Sequence, residues 1–397
     1  MYKRQVYQHV HFGEELVAAN WQEKEGSWEV QTKGGKTYHG KMFVSAIGQL
    51  HHPSIPNFEG KATFAGPSFH SAKWNHEVSL EGKTVGVIGN AASAVQFIPE
   101  IAKTARKVTI FQRSANWMLP KQDRAYKDWE KNLVRRFPII LKMYRLKIWL
   151  LGGGLFFLMK NGNDFLRKLY QKQTISYIKK HIKDRETIQH LIPDYPMGAK
   201  RILFSDTYYP ALALPSVQLV TGGVQAITSN GVVAGDGTAH DVDVLIYSTG
   251  FKTNPFLLGL DIRGKAGISI KEAWKDGPTN YLGMTVANFP NLFMMYGPNT
   301  NLGHNSIILM SEAQAGYIAQ CVQAVKQNKL KTMEVSAATM EAYHQSTQKR
   351  LSEMIWARVE DSWYKSANGN IPNNYPGRTM EYMRKTKLVN FDEYVIS

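Results

Sequence analysis

The sequence predicts an α/β fold in which a Rossmann-like dinucleotide-binding domain, carrying a helical insertion, is set inside another α/β domain. Three observations predict it. The segment "VGVIGNAASAVQ", residues 85–96, reads as a strand entering a helix through a turn of small residues. The order along the chain is a β meander, a βαβ unit, a basic helical stretch and then strands again. The chain has 397 residues, 43% of them apolar, which is enough core for two or three domains.

Residues 14–48 alternate in a β manner, with turn signals at Glu25-Gly26 and Gly34-Gly35, and end in "MFVSAIG", an apolar run that suits a buried strand. A proline-marked loop, "HHPSIPNFEG", leads to the strand–turn–helix at 84–103, and "KVTIFQR", 107–113, is the next strand. From 121 to 190 the pattern turns helical and basic, with 17 Lys and Arg against 6 Asp and Glu, so most of the formal charge of +16 lies there. Within it "IWLLGGGLFFLM", 148–159, is too short to span a bilayer, and its three glycines weaken it as a helix. "PDYPMGAKR", 193–201, is a loop, and strands return over 217–247. Residues 287–325 read as a strand, the polar loop "PNTNLGHNS" and a long helix.

Composition narrows the function. A lone cysteine, Cys321, excludes a disulfide framework and a cysteine-based metal site, and reads as a buried spectator thiol. His11, His51 and His52 have no carboxylate or cysteine at ligand spacing, so no metal centre is expected. The first residues hold no apolar signal-peptide core, so a cytoplasmic location is expected. The basic stretch is read as a solvated helical face whose apolar residues line or cover a substrate cleft; a membrane-surface patch and attraction for an anionic cofactor are the alternatives and are not favoured. No nucleic-acid motif is present.

In a dinucleotide loop the first glycine makes the tight turn, the second admits the pyrophosphate and the third permits helix–strand packing. Gly89 fills the first position, Ala91 the second, with one added methyl, and Ala94 the third; Gly86 and Ser93 complete the cofactor-binding candidates of this loop. An ordinary α/β turn reads equally well when the loop is taken alone. Past the second strand come Gln112, Arg113 and Ser114, and a cation there suits a 2′-phosphate, so Arg113 points to NADPH rather than NADH. The alternative is a plain strand-end arginine.

"FAGPSFHSAKW", with Phe64, Gly66, His70 and Trp74, follows F-x-G-x-x-x-H-x-x-x-W and resembles the fingerprint of type I Baeyer–Villiger monooxygenases. Simpler flavin-containing monooxygenases end the pattern in Tyr or Phe, so Trp74 favours the Baeyer–Villiger side, while Asn75 departs from that family's usual Pro or Asp. "FQRSANWMLP", "PDYPMGAKRILFSDTYYPAL", "DVLIYSTGFKTNPFL", "MYGPNTNLGHNSI" and "DSWY" extend the resemblance along nearly the whole chain, in the style of the 4-hydroxyacetophenone-monooxygenase-like branch.

The resemblance implies a flavoprotein with two dinucleotide-binding domains. Residues 1–78 would be the remainder of the N-terminal FAD domain and a linker, 79–120 and 201–249 the NADP domain, 121–200 the helical insertion, and 250–397 the C-terminal part of the FAD domain. "SAIG" at 45–48 and "STG" at 248–250 resemble the family's two crossings between domains. Nothing in 1–80 matches the family's FAD motif G-x-G-x-x-G, so the expectation is a chain that begins past the first βαβ unit of the flavin domain, with its competence to hold FAD in question. The activity implied is oxidation of a small hydrophobic ketone to an ester or lactone by O2, with FAD, NADPH and a C4a-peroxyflavin. Oxygenation of amines or sulfides, and a non-catalytic NADP-binding fragment, are the alternatives.

Residue by residue, Arg201 matches the family's catalytic arginine and Lys200 a contact to the NADP 2′-phosphate, against the ordinary reading of a surface pair. Trp363 matches a tryptophan near the NADP ribose, or is a core or rim aromatic. His70 and Trp74 are expected to shape the interdomain linker. The helix starting near Asn305 and Ser306 would turn its amides to the flavin, and those two residues could equally be its cap.

Overall fold

The computed structural model describes residues 3–253, 256–257, 259–359, 364–366 and 368–397. After a short helix α1 (Lys3–Val6), strands β1 (Leu16–Gln22), β2 (Ser27–Thr32) and β3 (Thr37–Gly40) form an antiparallel meander, with Gly26 at φ +64° in the first turn. Alternation sends Ala19, Trp21 and Trp28 inward, and the Trp28 Nε1–H donates to the Pro290 carbonyl at 2.9 Å, tying the meander to the C-terminal third of the chain. Strand β4 (Phe43–Ser45) leaves the meander altogether.

The next elements build a five-stranded, all-parallel sheet. They are β5 (Ser68–His70), β6 (Thr84–Ile88), helix α2 (Ala92–Ile101) and β7 (Lys107–Gln112). A short strand β8 (Met118–Leu119) then opens the helical insertion: α3 (Asp128–Arg136), α4 (Pro138–Met159), α5 (Asp164–His181) and α6 (Arg185–His190). Strand β9 (Leu203–Phe204) pairs with β8 and closes the base of the insertion. Helix α7 (Tyr208–Leu212) and β10 (Val217–Thr221) return the chain to the sheet, a three-stranded meander follows as β11 (Val224–Ile227), β12 (Gly231–Ala234) and β13 (Ala239–Asp241), and β14 (Val244–Tyr247) enters the centre.

The sheet order is β10-β7-β6-β14-β5, so the direction of winding reverses between β6 and β14. Its central strands are continuous apolar runs because both faces are covered. Val244 and Ile246 pack with Val85, Val87, Ile110 and helix α2, while Leu245 and Tyr247 pack with the β11–β13 meander. Ser68–His70, which the sequence assigns to the linker before 79, is the edge strand of this sheet through its pairing with β14.

The remainder holds β15 (Asp261–Arg263), α8 (Ile270–Ala273), β16 (Leu292–Met294), α9 (Ile307–Gln327), β17 (Met333–Val335), α10 (Ala337–Ser352), α11 (Thr379–Lys385) and β18 (Tyr394–Ile396). β15 runs parallel beside β1, and β16 runs parallel beside β4, so segments far apart in sequence share one body. Cys321 is buried in α9, and burial pushes its thiol up to about 12.

One expectation is corrected here. Helix α4 runs unbroken through Gly152, Gly153 and Gly154. A Cβ on Gly152 would stand 3.1 Å from the His304 carbonyl oxygen, so this glycine lets the helix lie directly against the 303–306 loop, outweighing a helix penalty of about 1 kcal/mol. From Ile139 to Leu151 most apolar residues of α4 stand in solvent, and only the last turns, with Phe156, Leu158 and Met159, enter a core shared with Tyr195, Met197, Ala199, Ile202, Leu351, Trp356 and Ile371.

Candidate functional site

Gly89 ends β6 at the point where the sheet reverses. Its N–H donates to the Phe111 carbonyl of β7, while Ser248 N–H at the end of β14 donates to the Ile88 carbonyl. Gly89 has φ +99°, and a Cβ there would meet the Ser248 carbonyl oxygen at 2.5 Å, so both conformation and space require glycine. In open α/β sheets the crevice beyond the strand ends at such a reversal is where ligands bind.

Helix α2 starts at the same place. Its N-cap is Ala91, which has no side-chain oxygen to satisfy the first-turn amides, and no acidic residue occupies the first turn. Those N–H groups, from Ala92, Ser93 and Ala94, and the positive end of the helix dipole are therefore free to receive an anion. Ala91 is exposed, Ser93 half-buried, and Ala94 fully buried in the core under α2. Gly86 is different. It lies inside β6 with Leu245 and Val242 methyls 3.1 Å from where its Cβ would be, so it serves strand packing and does not line the loop.

Gln112 also lies behind the loop. It is buried; its Oε1 accepts from Asn90 Nδ2 at 2.6 Å and its Nε2 donates to the His190 carbonyl at 2.7 Å. Asn116 Nδ2 donates to Asn90 Oδ1 at 3.2 Å. This network fixes the loop backbone from beneath and ties it to the end of the helical insertion. Arg113 and Ser114 follow β7 on the exposed side, level with Asn90 by the Ile88–Phe111 register, and the Arg113 stem lies against Gly223.

The fingerprint residues join this loop to the rest of the chain. Gly66 has the Asp243 carbonyl oxygen 2.4 Å from its would-be Cβ and the Phe64 ring at 3.0 Å, so no side chain fits there. Trp74 packs edge-on against Phe69 of β5 and against Phe97 of α2, each at 5.3 Å. His70 accepts the Ala72 N–H on Nδ1 at 3.1 Å and meets Phe251 edge-on at 5.6 Å. Burial holds its imidazole below the ordinary histidine range, so it is a neutral strut near pH 7. Phe251 belongs to the second crossing, which pairs antiparallel with the first at Pro53; Ser54 N–H donates to the Gly250 carbonyl and Lys252 N–H to the His52 carbonyl, each at 2.9 Å.

A second wall of the candidate site is the loop 296–306 between β16 and α9, which meets the chain just past the first crossing, where Gln49 Nε2 donates to the Tyr296 carbonyl at 3.4 Å. Tyr296 and Asn299 take positive φ, and Asn299 Nδ2 donates to the Ile371 and Asn374 carbonyls, which holds the loop rigid. Ser306 caps α9 by accepting the Ile308 N–H, while Asn305 Oδ1 accepts the Ser306 N–H and its Nδ2 reaches the Trp149 carbonyl of α4 at 3.5 Å. The capping reading thus holds for Ser306, while Asn305 stands one residue ahead of the cap. His304, in the same loop, is 5% exposed, has no hydrogen-bond partner on either ring nitrogen among the described residues, and is pushed down to about 4 by burial and by Arg378. Ser45 Oγ and Ser248 Oγ, on the two crossings, and Gln49 Oε1, just past the first, are likewise buried without a partner among the described residues.

Lys200 and Arg201 sit on the segment that returns from the insertion. Trp117 Nε1–H donates to the Tyr195 carbonyl and Tyr195 Oη–H to the Ala115 carbonyl, which aligns this segment beside the chain leaving Arg113. Lys200 Nζ stands 4.7 Å over the Tyr195 ring. Arg201 is exposed, and its charge lies near enough to the Tyr296 and Tyr364 phenols to oppose the upward push that burial exerts on them. Trp363 lies outside the described residues. Among the described residues, no cluster of His, Cys, Asp and Glu could hold a metal. Sequence reasoning did not single out His304, Tyr296 or Asn90, and met Ser248 only as the start of "STG"; the histidine in "LGHNS", beside a glycine and just ahead of a helix, was the available signal.

Residues 8–263 match the model of flavin-binding monooxygenase-like proteins. A Baeyer-Villiger monooxygenase of Pseudomonas aeruginosa is 38% identical over 389 residues, covering 96% of this chain and 72% of that protein. The structure of OTEMO in complex with FAD and NADP superposes with a TM-score of 0.86 at 26% identity, covering 99% of this chain and 82% of that one. The closed structure of cyclohexanone monooxygenase superposes at 0.87 with 25% identity, covering 100% and 82%. The architecture is therefore that of flavoproteins with two dinucleotide-binding domains.

Proposed function

The chain belongs to the flavin-binding monooxygenase-like family of NADPH-dependent enzymes, and from that premise we propose that it uses FAD and NADPH to insert one oxygen atom of O2 beside the carbonyl of a small hydrophobic ketone. One observation carries the reading: the Phe64–Trp74 fingerprint is built into the joint between the dinucleotide helix α2 and the crossing at Gly250 and Phe251, through Trp74–Phe97 and His70–Phe251.

The residues present suit NADPH; for FAD they offer polar groups for the ring, while residues 1–80 hold no G-x-G-x-x-G loop for its pyrophosphate. A cradle that a Cβ would fill at Gly89, the uncapped start of α2 and the exposed Arg113 suit the pyrophosphate and 2′-phosphate of NADPH, with Lys200 as a second cation. For the flavin side the candidates are the polar groups of Ser45, Gln49, Ser248 and His304, which are buried and have side-chain atoms without a partner among the described residues. The bound flavin supplies the redox and oxygen-activating chemistry, and the nicotinamide its hydride. The protein's own share is positioning and charge. The Asn90–Gln112 network keeps the loop amides aimed, neutral His70 fixes the joint without proton transfer, and Arg201 brings a positive charge to the wall where negative charge develops.

The test is to incubate the protein with FAD, NADPH and isotopically labelled dioxygen, offering a cyclic or aryl ketone, a tertiary amine and a thioether in parallel. Labelled ester or lactone supports the proposal. Labelled N-oxide or sulfoxide alone replaces it with heteroatom oxygenation. NADPH binding with no consumption leaves a non-catalytic NADP-binding protein.

A further inference from the structure

We propose that helix α4 is a docking element for the surface of an anionic phospholipid bilayer. The observation is independent of the oxygenase chemistry. Along α4, Ile139, Met143, Leu146 and Leu150 recur at intervals of four, three and four residues, which aligns them as one stripe, and they are 60%, 60%, 46% and 57% exposed. By the same periodicity Lys142 and Lys147 flank that stripe on either side, and both are exposed. The helix meets the body through another side, with half-buried Trp149 and Gly152 and buried Phe156, while Ile148 and Leu151, off the stripe, are also exposed.

Charge selects the occupant. Residues 131–163 contain seven Lys and Arg and no Asp or Glu, so the surface around the stripe is cationic without compensation along this segment. An apolar stripe alone would suit another protein face; one flanked by lysines in a stretch devoid of acids complements a layer of acidic headgroups over hydrocarbon. Two copies of the stripe facing each other would bring like charges together, which disfavours self-association. No helix among the described residues is long and apolar enough to cross a membrane, so α4 would lie in the interface plane. The reading also supplies a source for apolar molecules next to a site whose wall α4 touches at His304 and Asn305.

The experiment is vesicle co-sedimentation of the whole chain with phosphatidylcholine alone and with phosphatidylcholine containing phosphatidylglycerol. The expected result is binding to the anionic vesicles, weakened as ionic strength rises. Met143→Asp with Leu150→Asp abolishes it while the thermal unfolding midpoint stays put, since neither side chain enters a core. Lys142→Ala and Lys147→Ala each lower the partition coefficient for anionic vesicles about fivefold and leave the weak neutral-vesicle value unchanged. Wild-type protein that remains in the supernatant with both vesicle types overturns the proposal. So does sedimentation velocity showing a dimer that the double aspartate variant dissolves, with no vesicle binding, because the stripe is then a contact between copies.

Discussion

Replacing Gly89 by alanine tests the dinucleotide crevice with an internal control. Two terms add. At φ +99° an L-residue is strained by roughly 1–2 kcal/mol. The new methyl would also sit 2.5 Å from the Ser248 carbonyl oxygen, and that neighbour is backbone at the end of a central strand, which cannot swing aside as a flexible side chain could. Relieving the overlap moves β6 and β14 apart, an overpacking cost of about 1–3 kcal/mol. Gly82 provides the comparison. It has φ +68° and nothing within 4 Å of its would-be Cβ, and it lies ahead of β6, at the opposite end of the strand from the loop. Gly82→Ala should therefore cost about 1–2 kcal/mol and leave NADPH affinity unchanged. Gly89→Ala should cost about 2–5 kcal/mol and lower NADPH affinity more than tenfold, because the loop amides lose their aim. Urea unfolding and fluorescence titration with NADPH, under conditions where each variant is folded, measure both. Equal destabilisation of the two variants, with NADPH affinity retained in Gly89→Ala, would refute the reasoning.

Three further outcomes follow from the site. Arg113→Ala should weaken NADPH by about ten- to a hundredfold, from the loss of a charge-assisted phosphate contact of about 1.5–3 kcal/mol, and leave NADH unaffected; wild-type protein that binds both dinucleotides equally defeats the assignment. His304 is held at about 4 when folded against 6.5 when free, so the unfolded chain binds the extra proton. Its contribution is intact above about pH 6.5, erodes as pH falls toward about 4, and amounts to about 3 kcal/mol in total; denaturant unfolding across that window should lose most of this slope in His304→Gln. With FAD bound, Arg201→Ala should retain flavin reduction by NADPH while oxygenated product falls ~10²–10³-fold and the reducing equivalents appear as hydrogen peroxide; product formation near wild type would make Arg201 a surface residue.

The parts of the fold carried by local pattern were legible. The meander over 14–48, the strand–turn–helix at 84–103 and the long helix after Ser306 all declare themselves by alternation, small residues or a cap. What escaped depends on contacts between distant segments. Nothing near Phe43 says that β4 pairs with β16, and nothing near Ser68 says that β5 will extend the β14 edge. Gly152 reads locally as a helix breaker, and its reason, the His304 carbonyl, lies far along the chain. Gln112 and Arg113 are adjacent and polar, yet one is turned inward to Asn90 and the other outward, because a strand end alternates its sides. His304 looks like any loop histidine until the packing of Phe156 and Arg378 around it is known.

The antiparallel bridge between Pro53 and Phe251 has a mechanical consequence. Two bodies joined by one tether can bend about any axis and twist freely. Here the two connecting segments run side by side and are stitched by the Ser54–Gly250 and Lys252–His52 hydrogen bonds. Pairing of this kind couples the two connections, so a displacement of one is passed on to the other. His70, wedged against Phe251, sits beside that pairing.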